Sequence, residues 1–352
     1  MTLTVLNVAY PLAPVGPDSV GGAEQVLSAL DRALVAAGHR SIVIACEGSR
    51  VAGRLIATPA ETGILDEAAK HRAQARHREA IRLVMARYPI DVVHLHGIDF
   101  DAYLPPAGPT LVTLHLPLDW YPAEALLPGR DDLWLCPVSQ SQLRRAPAGA
   151  RLREPAPNGV DIAGLSGTAA KRSFALMLGR VCPEKGLELA IDAAKAADMP
   201  LLIGGQIYPY AYHQDYFRND VAPRLDARRR FLGPLGLVRK RRFLRAARCL
   251  LVPSLAPETS SLVAMEAAAA GTPVVAFASG ALPEVVEHGR TGFIVHDVNE
   301  MAEAMRRIGE IDPAVCRETA RRRFSLASMV AHYFSLYRDL AGLGRKAVRA
   351  AS

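Results

Sequence analysis

The sequence has little of what holds small secreted proteins together. Five cysteines are scattered over 352 residues, Cys46, Cys136, Cys182, Cys249 and Cys316, and no two form a CxxC pair. An odd, dispersed set argues against a disulfide framework or a zinc site and predicts reduced thiols in a cytoplasmic protein. No apolar run approaches the roughly 20 residues of a membrane span. The opening "MTLTVLNVAYPLAP" has no basic region before its apolar part and reads as a first strand, not a signal peptide. GxGxxG and the GK[ST] of a Walker loop are both missing, which argues against a dinucleotide dehydrogenase and a P-loop NTPase. Aromatic residues make up 6% of the chain and interleave little with the basic ones, and no nucleic-acid motif occurs, so no nucleic-acid partner is expected.

What the chain does have is length and apolar content. Half of its 352 residues are apolar, which predicts two packed domains of roughly 150–200 residues each. The net charge is +7, and much of the excess lies in residues 70–87 and 224–248. Solvated helix faces account for such runs. The functional alternative is attraction to anionic lipid or to a phosphate-bearing substrate, so a peripheral membrane contact stays open for residues 70–87.

Apolar runs alternate with helical patterns. Strands are predicted at 3–9, 41–46, 91–97, 110–115 and 133–139, and again at 174–179, 200–205, 249–254, 273–279 and 292–295. Val26, Leu27, Leu30 and Leu34 recur at helical spacing between the first two, and Gly38 stops that helix. Strand–helix alternation implies an α/β protein with parallel sheets covered on both faces. A stretch rich in Pro, Gly and Ala, residues 146–173, reads as a linker between two doubly wound halves. Ligands in such sheets bind beyond the carboxyl ends of the strands, so two facing halves suggest a cleft.

Four features could carry chemistry. Gly21-Gly22 lies between the first strand and its helix, where paired glycines admit a ligand to the backbone and helix amides attract an anion. Arg180 and Lys185, in "LGRVCPEKG", flank a strand-to-helix junction as a diphosphate clamp would. In "ETSSLVAME", Glu258 falls in a loop, Ser260 or Ser261 is placed to cap a helix, and Glu266 lies inside it among apolar neighbours. An acid there is costly without a partner, and carboxylates suit the neighbouring hydroxyls of a sugar or ribose. His94 and His96 alternate along one strand and His115 ends another, with Asp99 and Asp101 forming a DxD. Strand-end histidines more often bond backbone or substrate, so no metal ligand is assigned.

Together these stretches resemble the family-4 retaining glycosyltransferases of the GT-B fold. The resemblance rests on "GGAE" (21–24), "TLH" (113–115), "VSQS" (138–141), "PNGVD" (157–161) and "GRVCPEKG" (179–186). Above all it rests on residues 257–295, which hold the E-x7-E pair followed by "GTPVVA" and "PEVV". It implies two Rossmann-like domains facing across a cleft: residues 1–165 on the acceptor side, 166–325 holding a nucleotide sugar, and 326–352 as a helix crossing back. It further implies that Arg180 and Lys185 grip a diphosphate, with Gly21 and Gly22 in a loop facing it. Ser260, Ser261 and Leu262 would lie at the donor, Glu258 at its sugar and Glu266 at its ribose. His115 would stand near sugar and acceptor. The donor expected is UDP-glucose or UDP-N-acetylglucosamine, with no cofactor or metal, and the acceptor is a small or lipid-linked molecule. Ser260-Ser261 stands where many members have Phe-Gly, which reshapes the sugar pocket. An epimerase and an inert nucleotide-sugar-binding protein are the rival readings. A phosphorylase would need a pyridoxal-binding lysine, and none can be assigned.

Overall fold

A computed structural model describes residues 2–167 and 169–351, with side chains through residue 344. The chain forms two units, Met1–Pro157 together with Ala327–Ser352, and Asn158–Leu326.

The first unit carries a parallel sheet of β1 (Thr4–Val8), β2 (Arg40–Cys46), β3 (Arg54–Thr58), β4 (Val92–Leu95), β5 (Thr110–Leu114) and β6 (Leu133–Pro137), in the order β3-β2-β1-β4-β5-β6. The second carries β7 (Ala175–Arg180), β8 (Leu201–Gln206), β9 (Arg229–Phe231), β10 (Cys249–Val252), β11 (Val274–Phe277) and β12 (Gly292–Val295), in the order β12-β11-β10-β7-β8-β9. The two orders are the same connectivity. In each sheet the first strand has the second on one side and the fourth on the other. That reversal opens a crevice at the carboxyl ends of the two central strands. β1 meets β4 with Asn7 opposite His94, and β7 meets β10 with Leu176 opposite Leu250.

Central strands such as β1, β4 and β10 are buried along their whole length, as expected where helices cover both faces. Two strands went unread in the sequence, β3 and β9, and both are sheet edges. These two are largely exposed or half-buried and each carries arginine, so the apolar signal is weak.

The unit boundary falls at Pro157, earlier than the expected residue 165. The reason is local pairing: the Val160 N–H donates to the Phe324 carbonyl, the Leu326 N–H to the Val160 carbonyl, and Leu165 is buried in the second core. Thr168, in the expected linker, lies outside the described residues. In the final helix, Leu326–Ala351, Tyr333 and Tyr337 are fully buried in the first unit.

Residues 70–87 fall in the helix Glu67–Arg87. It buries Ala69, Ala73, His77, Ala80, Ile81 and Val84, so its apolar side is occupied by the protein itself. Arg72 and Arg76 both pair with Glu61 at 2.6 Å, and Arg82 pairs with Glu79 at 2.6 Å. The second basic stretch is likewise paired, Arg224 with Asp192, Arg229 with Asp226 and Arg241 with Asp161. Among the described residues no helix is long and apolar enough to cross a membrane. All five cysteines are buried free thiols.

Candidate active site

In the second unit, Arg180, Lys185 and Glu258, all singled out in the sequence, come together after the ends of β7 and β10. β7 ends on Arg180, and the short turn Pro183–Lys185 leads into the helix Leu187–Ala196. Gly186 makes that junction in the left-handed region, φ +63°, where a Cβ would meet the Pro253 carbonyl oxygen at 2.4 Å. Leu255 N–H donates to the Glu184 carbonyl at 2.9 Å, tying the loop after β10 to this turn. Gly280, also left-handed, leaves room for the backbone of Glu258, whose carbonyl accepts from Ala281 N–H at 2.7 Å.

This seating brings Lys185 Nζ to 2.5 Å from Glu258 Oε1, which also accepts from Ser254 Oγ at 2.5 Å. Burial works to raise the Glu258 carboxyl. The charge and hydrogen bond of Lys185, the Ser254 bond and the Arg180 charge overcome it, and the acid is held below the usual range. Glu266 has its own partner, Lys240 Nζ, at 2.7 Å from Oε1. The acid inside the apolar run therefore does not stand alone.

The helix Leu262–Ala269 starts after Ser261, as expected, but neither serine caps it with its side chain. Capping needs an extended backbone at that residue, and Ser261 is left-handed, with φ +63°. Its Oγ and that of Ser260 are buried without a hydrogen-bond partner, although both stand at the helix start. Buried hydroxyls are normally satisfied, so two orphans side by side mark a place built for something else.

In the first unit, His94, His96 and His115 meet at the ends of β4 and β5. His94 Nδ1 lies 2.7 Å from Tyr337 OH and its Nε2 2.7 Å from Thr113 Oγ1. His96 Nδ1 lies 3.0 Å from His115 Nε2, with the rings stacked at 5.3 Å. Burial pushes all three well down, His115 to about 3, so they are neutral imidazoles. Asp99 is engaged by Gln74 and Tyr103, at 2.8 Å each. Asp101 is exposed. Among the described residues no three or more His, Cys, Asp or Glu side chains are arranged so that they could hold a metal ion. Gly21 is the residue before the helix Gly22–Ala36, and a Cβ there would fall 1.9 Å from Glu24 Oε2. The helix start that was read as an anion site thus has an internal carboxylate folded against it.

Comparison with known proteins decides the family. A profile described as glycosyl transferases group 1 matches residues 172–310, and one described as Glycosyltransferase Family 4 matches residues 20–148. The chain belongs to the family-4 glycosyltransferases. A phosphatidyl-myo-inositol mannosyltransferase of Mycobacterium tuberculosis is 27% identical, over 95% of this chain and 97% of the relative. A D-inositol 3-phosphate glycosyltransferase of Corynebacterium glutamicum is 35% identical, but over 46% of this chain and 42% of the relative. The crystal structure of AviGT4, a glycosyltransferase involved in avilamycin A biosynthesis, superposes with a TM-score of 0.72 and 25% identity, covering 97% and 98% of the two chains. The two six-stranded parallel sheets of this glycosyltransferase are those of the GT-B fold.

Several residues beside the glycosyltransferase's expected site were missed in the sequence. Ser254 and Lys240 hold the two acids, yet a lone serine after a strand or one lysine in "RKRRF" carries no signal of that. The run "QIYPYAYH" after β8 places Tyr208, Tyr210 and Tyr212 around the buried His213, with Tyr212 and His213 rings 4.3 Å apart. Its concentration of tyrosine, in a chain with 6% aromatics, was the available clue. Burial, then the Arg180 charge, lowers His213, which puts this cluster beside the cation that ends β7.

Proposed function

We propose that this glycosyltransferase transfers a hexosyl group from a nucleoside diphosphate sugar with retention of anomeric configuration. The observation that carries the reading is the Lys185–Glu258 pair, seated at the strand ends of the second unit with Arg180 bearing on the same carboxyl. Lys185 has three donors, and one to Glu258 leaves two for phosphate oxygens. Glu258 uses Oε1 for Lys185 and Ser254, and its Oε2 serves two neighbouring sugar hydroxyls. Glu266 is engaged by Lys240 in the same one-sided way and serves the ribose.

In this reading the C–O bond between sugar and diphosphate breaks as the acceptor oxygen attacks from the same face, and the departing phosphate takes the acceptor's proton. Arg180, Lys185 and the amides that open Leu262–Ala269 stabilise the charge growing on that phosphate. Each such preorganised donor is worth about 2.7–4 kcal/mol, or roughly 10²–10³ in rate. The cations supply the charge neutralisation, so no divalent ion or other cofactor is assigned a role. Intact clamp and carboxylate residues speak against an inert binding protein, and release of free sugar epimer without acceptor would favour an epimerase.

The expected base is uridine, with glucose or N-acetylglucosamine. The mannosyl transfer in the mycobacterial relative's name favours mannose as a second reading, and both relatives' names point to inositol-bearing acceptors. Calorimetry with UDP, GDP and ADP, followed by product analysis with the matching glucose, N-acetylglucosamine and mannose donors on inositol, inositol phosphate and phosphatidylinositol, tests this. Tight UDP binding and an α-linked product from an α-linked donor are expected. Preference for GDP would move the donor to the mannosyl reading, and an inverted product would end the retaining one.

A further inference from the structure

We infer that His96 is a positioning residue, which fixes the ring tautomer of His115 so that His115 carries its proton on Nδ1. The His96 ring is 2% exposed, and its one hydrogen bond runs from Nδ1 to His115 Nε2 at 3.0 Å. Its other nitrogen, Nε2, is buried with no partner. A neutral imidazole has one N–H and one bare nitrogen. If the proton sat on His96 Nε2, a buried N–H would be orphaned, which is rarer and costlier than an under-satisfied acceptor. The proton therefore sits on Nδ1 and is donated to His115 Nε2. That nitrogen must then be the bare one, and His115 holds its proton on Nδ1. The hydrogen bond made by one ring nitrogen sets the state of the other.

Burial supports this by keeping both rings neutral, since no positive imidazolium, with protons on both nitrogens, is stable here. Stacking of the rings at an interplanar angle of 16° fixes their orientation. His94 cannot take the place of His96, because both of its nitrogens are committed to Tyr337 and Thr113. The consequence is chemical. His115 Nε2 is occupied and Nδ1 carries a hydrogen, so the ring offers no basic nitrogen to an acceptor hydroxyl. It acts as a hydrogen-bond donor, and the proton of the attacking hydroxyl goes to the departing phosphate. This consequence rests on the transferase reading above. The tautomer itself does not.

The test is a long-range nitrogen–proton spectrum of the full chain labelled with ¹⁵N-histidine, for wild type, His96→Phe and His96→Asn. Wild type is expected to show His115 with a pyrrole-type Nδ1 and a pyridine-type Nε2. His96→Phe keeps a ring but removes the donor, and His115 should shift toward the Nε2–H form favoured by free imidazole. His96→Asn restores an N–H near the Nδ1 position and should restore the wild-type pattern. In the assay, His96→Phe should lower kcat by about 10- to 100-fold with KM for the donor little changed, the scale seen when the partner that orients a metal-binding imidazole is lost. Asn should recover most of it. An Nε2–H His115 in wild type, or unchanged His115 signals in His96→Phe, overturns the inference even if the enzyme is active. An inactive wild type with the expected tautomer shift would instead overturn the transferase reading alone. Should His96→Phe fail to fold, the wild-type spectrum and His96→Asn still decide.

Discussion

The two units share one sheet connectivity but put opposite chemistry at the same place in it. In the second unit lie ion pairs, Lys185–Glu258 at 2.5 Å after the ends of β7 and β10 and Lys240–Glu266 at 2.7 Å between two helices. At the strand ends of the first lie three neutral histidines bonded to Thr113, Tyr337 and one another. The fold supplies the crevice, and the side chains set whether it is charged. A crevice lined by paired charges can meet an anion by exchanging one partner for another. A crevice lined by neutral imidazoles, pushed down by burial, fixes direction and hydrogen bonding without adding charge.

The strongest way to break this contrast is to remove the charge. Arg180→Ala and Lys185→Ala should each lower turnover by about 10²-fold or more at saturating donor, with the far-ultraviolet spectrum unchanged. Near-normal rates in both would take the clamp out of the mechanism. Glu266→Gln should mainly weaken donor binding. Replacing an ionic acceptor by a neutral one forfeits about 1.5–3 kcal/mol, so calorimetry should show affinity down roughly tenfold or more.

Acid should separate the two units. Four buried histidines of the first unit, His77, His94, His96 and His115, are held below 6.5, His77 at about 4 and His115 at about 3, against His213 alone among the lowered histidines described in the second. Below about pH 6.5 the unfolded chain binds protons that the folded one does not. Their contribution is complete above that pH and falls, by up to about 1.4 kcal/mol per pH unit for each histidine, as pH drops. Glu258, also held low, keeps its contribution until pH falls below about 4.3, its unfolded value, and loses it through the folded one. Hydrogen exchange at pH 7 and pH 5 should therefore show β4 and β5 loosening before β7 and β10. The reverse order would sink the contrast.

A smaller effect is expected at Ser261. A non-glycine residue in the left-handed region costs about 1–2 kcal/mol, partly offset by the entropy that glycine adds to the unfolded chain. Ser261→Gly should therefore raise the melting temperature of the unliganded protein slightly, by up to about 1 kcal/mol of stability, while lowering donor affinity. Unchanged affinity would mean the orphaned hydroxyl is not used. The smallest expected effect is none: incubation with EDTA should leave the transfer rate unaltered, and activity restored by Mn²⁺ or Mg²⁺ after chelation would return Asp99 and Asp101 to consideration.

Much of this was legible in the sequence because it is local. Ten of the twelve strands among the described residues announce themselves as apolar runs, and the junctions at Gly22, Lys185 and Ser261 follow from where those runs stop. The strands that escaped, β3 and β9, are the exposed edges, where the apolar pattern is lost; the other two edges, β6 and β12, are mostly buried and were read. The capping role given to Ser261 failed for a related reason. Residue type suggests a cap, but capping also needs an extended backbone, and Ser261 is left-handed.

By itself, then, the sequence determined the alternation of strands and helices, the two parallel sheets and the acids and cations at the ends of strands. Each of these depends on residues close together in the chain. Only the tertiary structure decided who pairs with whom. Lys185 reaches Glu258 across 73 positions, Lys240 reaches Glu266 across 26, and His94 meets Tyr337 across 243. Such pairings also decide charge. Whether a histidine is an imidazolium or a neutral ring, or a buried acid stays ionised, depends on the water excluded and the partner supplied, and both are set by parts of the chain far from the residue itself.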